Sequence, residues 1–281
     1  MTPSDLDRRG FFKLFGGKGN TVQPGKESVH GTRLGFGGWV EARADNLAKS
    51  GMGDLLTFFE RTDLGIIMFE AVSQAKAASI LAQTGIGAVV SSERLPRGIL
   101  DELEGYRIEH VVPGEMIEKT FGGRKLLFFA AEPLDHAWQS ECVDRAKAVK
   151  AISVAIFPRM AWPVVPGARE RDVAGYVAEL GAGLVIAGPA APFAGMVKMG
   201  ESLAIFGLGQ LIMPMEMPGN DSVVLLEVVM GNKGVVSWKL AHAAKGMKGR
   251  PPFLLNGKAA VAAESRSVEI SRKVFRNDSA L

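Results

Sequence analysis

Between residues 64 and 188 the chain alternates short apolar runs with segments of helical period, and this alternation constrains the fold more than any other feature. Residues 64–69, 88–90, 108–112, 125–131, 152–157 and 184–187 are runs of strand length, rich in Val, Ile, Leu and Phe. Between them lie helix-like stretches. Ala71, Ala75, Ala78 and Ala82 share one face, residues 95–103 form a second such stretch, and residues 134–149 a third. In the fourth, Val173, Tyr176, Val177 and Leu180 recur at i, i+3, i+4 and i+7. Runs apolar on both faces, separated by helices, predict βαβ units and a largely parallel sheet flanked by helices.

The last third reads differently. Residues 223–230 and 235–239 are β-rich, and Gly231-Asn232-Lys233-Gly234 joins them, so an antiparallel hairpin is expected there. Upstream, residues 16–37 are rich in Gly and polar side chains and read as a linker. Residues 38–61 look helical, interrupted at Gly51-Met52-Gly53. The expected organisation is an N-terminal amphipathic segment and linker (1–37), a first α/β portion (38–150), and a second with hairpin and basic tail (151–281).

With 47% apolar and 22% charged residues the composition is that of a packed chain, not a disordered one. The single Cys142 excludes an intrachain disulfide and any multi-thiolate metal cluster within the chain. It falls on a helical face with Leu134, Trp138 and Val149, as a buried thiol would. The two most apolar stretches, 182–197 and 202–215, fall short of the roughly 20 residues of a spanning helix. The expected location is therefore cytoplasmic, with peripheral contact at the inner membrane face as a further option.

Several chemistries lack their residues. Gly195 and Gly200 have P-loop spacing, but Glu201 stands where a lysine must reach the phosphates. No Gly-x-Gly-x-x-Gly opens a βαβ unit, and no Gly-x-Ser-x-Gly elbow occurs. His30, His110, His136 and His242 are far apart without i, i+4 spacing, so no metal site is expected and no cofactor is named.

Parallel sheets take ligands beyond the carboxyl ends of their strands. Those positions hold Glu70, the segment Ser91 to Arg94, Glu132, and the loop containing Arg159 and Trp162. Arg159 suits a carboxylate or phosphate, and Trp162 offers a stacking face. Alternatively, Pro158 and Pro163 shape a loop whose tryptophan fills the core. Charge is also uneven: residues 8–26 and 228–263 carry basic side chains and no acid, around an acidic body. Lys245, Lys248 and Arg250 could hold an anion, or form a solvated face. Nucleic acid is disfavoured, since only Trp238 and Phe253 could stack there.

Asp7-Arg8-Arg9-Gly10-Phe11-Phe12-Lys13 resembles the twin-arginine export motif. The apolar core that export requires does not follow, because the chain continues into Gly16-Gly17-Lys18-Gly19. The resemblance implies a docking tag, with Arg8, Arg9, Phe11 and Lys13 contacting a redox enzyme or assembly partner. Phe11, Leu14 and Phe15 equally fit a basic amphipathic helix, so residues 4–15 could lie on a membrane surface. Three functions are therefore expected, in this order: an accessory or ligand-binding protein beside a redox or respiratory enzyme, an α/β enzyme acting on a small anionic substrate at the strand ends, and a membrane-surface adaptor.

Overall fold

A computed structural model of the protein describes residues 31–42, 55–71, 77–160, 166–212, 222–246 and 251–276. In chain order the elements are β1 (Thr32–Ala42), α1 (Leu55–Phe59), β2 (Leu64–Ala71), α2 (Ala77–Gln83), β3 (Ile86–Val90), α3 (Arg97–Gly105) and β4 (Glu109–Val111). There follow β5 (Met116–Phe121), β6 (Arg124–Ala130), α4 (His136–Ala148), β7 (Ile152–Phe157), α5 (Ala168–Leu180) and β8 (Leu184–Ala187). The last group is β9 (Gly195–Met199), β10 (Ser202–Phe206), β11 (Gln210–Ile212), β12 (Ser222–Met230), β13 (Val235–Ala244), β14 (Phe253–Leu254) and α6 (Gly257–Arg276).

The apolar runs pair in parallel as their patterning predicts, β2 with β3 and β3 with β4, then β6 with β7 and β7 with β8. They are divided between two sheets. The first has the order β14-β13-β12-β1-β2-β3-β4, with β11 also on β1, and the second β5-β6-β7-β8-β10-β9. The chain passes from the first sheet to the second between β4 and β5, and β5 then turns back on β6 through Gly122 and Gly123, both at positive φ (54° and 79°). Only glycine occupies two such positions in succession at no steric cost.

The central strands, such as β7 and β8, bury both faces because the sheets pack on each other and carry helices outside. Between them lie Leu34, Phe36 and Ile66 of the first sheet against Phe128, Val154 and Ile186 of the second. On the first sheet's outer face, Phe59 of α1, Leu81 of α2 and Ile99 of α3 cover Ile67, Phe69 and Val89. On the second, Val143 of α4 and Val177 of α5 cover Phe129, Ala155 and Phe157. The result is a four-layer α/β/β/α sandwich, each layer present because its neighbour presents an apolar face.

Three expectations need correction. Residues 32–37, read as linker, and 38–42, read as helix, form β1, an interior strand between β12 and β2. Its glycines serve contact. A Cβ on Gly35 would lie 2.9–3.2 Å from Thr62, Phe59 and Phe58, and one on Gly38 would lie 1.9 Å from the Gly209 carbonyl oxygen. Of the stretch read as helical over 38–61, the described helix is α1 alone. The basic tail also contains a 20-residue helix, α6. The C-terminal hairpin is present, and its second strand runs on to Ala244. Lys150 lies between α4 and β7, whose sheet continues across it from β6. Among the described residues no helix is long and apolar enough to cross a membrane.

Candidate functional site at the strand ends

The parallel strands of both sheets end on the same side of the sandwich, and their following residues meet there. The chain crosses between the sheets at this edge: Gly114 N donates to Ala130 O (3.1 Å) and Ala130 N to Glu115 O (3.1 Å). Glu115, after β4, is thereby tied to the end of β6.

The segment after β3 is the hub. Ser91 N donates to Val111 O (3.1 Å), and the buried Ser91 hydroxyl donates to Glu93 O (2.5 Å). Its oxygen also lies 2.7 Å from His110 Nε2. Ser91 has one hydroxyl hydrogen, already given to the carbonyl, so His110 Nε2 carries the proton and donates. Burial pushes the His110 pKa below its ordinary value, opposed by Glu115 and assisted by Arg94, which keeps the imidazole neutral. Ser92 Oγ donates to Glu70 Oε1 (2.7 Å) at the end of β2.

Arg159, two residues beyond β7, reaches this hub from the other sheet. Its Nε donates to Ser92 O (2.9 Å), Nη1 lies 2.7 Å from Glu132 Oε1, and Nη2 lies 3.8 Å from Glu93 Oε1. The Nη1–Glu132 approach is close but off-axis, so Glu132 Oε1 is buried with its charge compensated and without an aligned hydrogen bond. With 45% of its side chain exposed, Arg159 remains reachable by a solute. Arg94 pairs with Glu115 beside it.

Glu132 is held by its backbone. Gln139, fully buried on α4, donates from Nε2 to Glu132 O (2.7 Å) and Pro133 O (3.3 Å). Beneath the polar cluster, Met68, Val90, Ile156 and Pro189 line an apolar void of about 10 Å³. That is room for about one water, so any ligand sits on the strand ends and does not enter the core.

The structure thus brings together Glu70, Arg94, Glu132 and Arg159, which sequence position singles out, along with Ser91, Ser92 and Glu93. His110, Glu115 and Gln139 join them. His110 had a signal, since it lies inside the short apolar run 108–112, but Gln139 had none. Trp162, Lys248, Arg250, Arg8, Arg9, Phe11 and Lys13 lie outside the described residues. Lys245 is buried, 8% exposed, beyond the end of β13. Among the described residues no three His, Cys, Asp or Glu side chains converge as a metal site would require.

No protein-family model matches the chain, and no curated protein matches it by sequence. Solved structures do match. A hypothetical protein from Thermus thermophilus superposes with a TM-score of 0.57 at 16% identity, covering 76% of this chain and 100% of that one. A novel phosphatase from Mycoplasma pneumoniae superposes with a TM-score of 0.57 at 9% identity, covering 85% of this chain and 99% of that one. Identities this low establish a shared architecture only.

Proposed function

We propose that this protein acts on a small anionic substrate held at the strand ends, with Arg159 as the anion-orienting cation. The observation that carries this reading is the convergence of Arg159, Glu132, Ser92 and Glu70 from four strand ends of two sheets. A guanidinium offers five donors in a planar fork. In Arg159, Nε is committed to a backbone carbonyl, which fixes the fork's direction, while Nη2 has only a distant carboxylate. An oxyanion would take Nη2 and compete with Glu132 for Nη1. Glu132 and Glu70 are then the carboxylates placed to accept or return a proton. The phosphatase among the structural neighbours makes phosphate esters the first class to test.

Binding without turnover is the second reading, favoured by one observation. The Ser91 hydroxyl hydrogen goes to a carbonyl and not to His110, so this serine–histidine pair is not an activated nucleophile. An accessory role beside a redox enzyme rests on residues 7–13, outside the described residues, and gains no support from the site.

The test is a thermal-shift screen of wild type and Arg159→Ala with inorganic phosphate, sulfate, acetate and p-nitrophenyl phosphate, followed by a release assay on the last. Loss of the guanidinium should weaken binding by about 1.5–3 kcal/mol, the range for hydrogen bonds to charged groups. Stabilisation of both proteins alike, or of neither, contradicts the proposal. Binding without nitrophenol release selects the second reading.

A further inference from the structure

α6 closes one flank of the sandwich, packing against β13 of the first sheet and β9 of the second. The approach to β9 is at backbone distance: a Cβ on Gly195 would lie 2.9 Å from Ser271 Cα. The far end is held to α5, where Arg171 Nη1 donates to Val274 O (3.2 Å). The described buried residues of α6 are Ser267, Ser271 and Val274, one aliphatic side chain and two serines. Ser267 and Ser271 are buried and bonded to each other through the Ser267 carbonyl (2.9 Å), while Val261 is 63% exposed. With one fully buried aliphatic side chain among its described residues, this 20-residue helix is held to the flank by little apolar area.

One buried polar group lies in the path of that detachment. His242, on β13, is 6% exposed and stands opposite Val224 of β12, so it faces the space between the sheets. Its Nε2 is buried and has no hydrogen-bond partner among the described residues. The neighbouring elements offer little to compensate a charge. β12 presents Val224, β14 reaches it only where the following Leu255 N donates to His242 O (2.8 Å), and the inner residues of β9 and β10 are Met196, Leu203 and Ile205. Among the described residues the charge that acts on it is that of Glu264 on α6, itself solvent-exposed.

We propose that His242 is an acid-sensitive latch for α6, whose protonation sets a charge in the apolar space between the sheets and loosens the helix from the flank. In the closed state burial holds the imidazole neutral, with Glu264 opposing this only in part, so its pKa lies below the ordinary 6.5. The open state, hydrated, binds a proton more readily. Docking of α6 is therefore at full strength above about 6.5 and weakens as the pH falls below it. The proposal is independent of the strand-end site.

Hydrogen exchange of the full chain at pH 7.5 and 5.0, corrected for intrinsic rates, reads the latch directly. In wild type, α6 peptides should lose protection several-fold at pH 5.0 while β6 and β7 peptides keep theirs. In His242→Leu, which fills the site without a titrating group, α6 protection should be the same at both values. Carbon-13 NMR of the histidines in wild type serves as the second measurement, independent of any variant's folding. His242 should titrate below the ordinary range, in step with the loss of α6 protection. Unchanged or increased α6 protection at pH 5.0, equal loss in His242→Leu, or His242 titrating at or above 6.5 would each overturn the proposal.

Discussion

Replacing Gln139 by Leu probes how firmly the fold holds Glu132, and its cost follows from the hydrogen bonds. The side chain is fully buried and donates to two main-chain carbonyls, at 2.7 Å and 3.3 Å. Leucine has nearly the same volume, so the cavity contribution is small, and what is lost is the two donor bonds and the long contact of Gln139 Oε1 with His136 Nδ1 (3.4 Å). Glu132 O keeps a second donor, Asp135 N at 3.2 Å, whereas the bond to Pro133 O is already long. Each lost bond contributes about 0.5–1.5 kcal/mol net, so about 1–2 kcal/mol is expected for the pair. In a chain of this size that lowers Tm by roughly 2–8 °C. Gln139→Glu should cost more, because a carboxylate would then face two carbonyl oxygens in a buried site, with His136 Nδ1 at 3.4 Å as a weak partner. Urea titration of the three proteins measures both differences. If Gln139→Leu is as stable as wild type, or Gln139→Glu is the milder change, the argument that Gln139 anchors the Glu132 loop fails.

Other consequences can be checked as simply. The Cys142 thiol is pushed up to about 12, chiefly by burial and further by Glu141 and Asp135 against Arg145; it should resist alkylation at pH 8 in the native protein and react on denaturation, and rapid native reaction would contradict its placement. Gly38→Ala would force a Cβ to 1.9 Å from a main-chain oxygen, so a loss of about 3 kcal/mol or more, or failure to fold, is expected in denaturant titration, and a near-neutral effect would refute the β1–Gly209 contact. His110 is held below its ordinary pKa, mainly by burial, so the folded state binds fewer protons than the unfolded one and stability falls as pH drops below about 6.5. His110→Gln should flatten part of that fall between pH 7.5 and 5.5, and an equally steep fall would show that His110 does not contribute.

Much of the strand–helix series was legible because it rests on local patterning. β2, β3, β6, β7 and β8 are continuous apolar runs, and β7 is buried at every position. What escaped was decided by distant partners. Gly35 and Gly38 mark β1 as flexible until Phe58, Phe59 and Gly209 are known to press on it. β5 carries Glu118, Lys119 and Thr120 in its middle because it is a sheet edge, and Lys119 pairs with Glu109 while Lys125 of β6 pairs with Glu118. The division into two sheets depends on the crossing between β4 and β5 at Gly114 and Glu115, after which Gly122 and Gly123 turn the chain from β5 back onto β6. At the strand ends, the positions of Glu70, Arg94, Glu132 and Arg159 could be read from the sequence because the strand-end rule needs only topology. Gln139 and His110 act through main-chain atoms and a hydroxyl that only the folded chain brings near.

The central claim is that the Arg159 guanidinium receives an anion at the strand ends. A crystal structure of the protein with saturating inorganic phosphate tests it most directly. The account predicts phosphate oxygens within about 3 Å of Arg159 Nη1 or Nη2, with Glu132 or Glu93 displaced and Ser92 O still bonded to Nε. Phosphate bound elsewhere, or absent, with the Arg159–Glu132 pair intact, would contradict it.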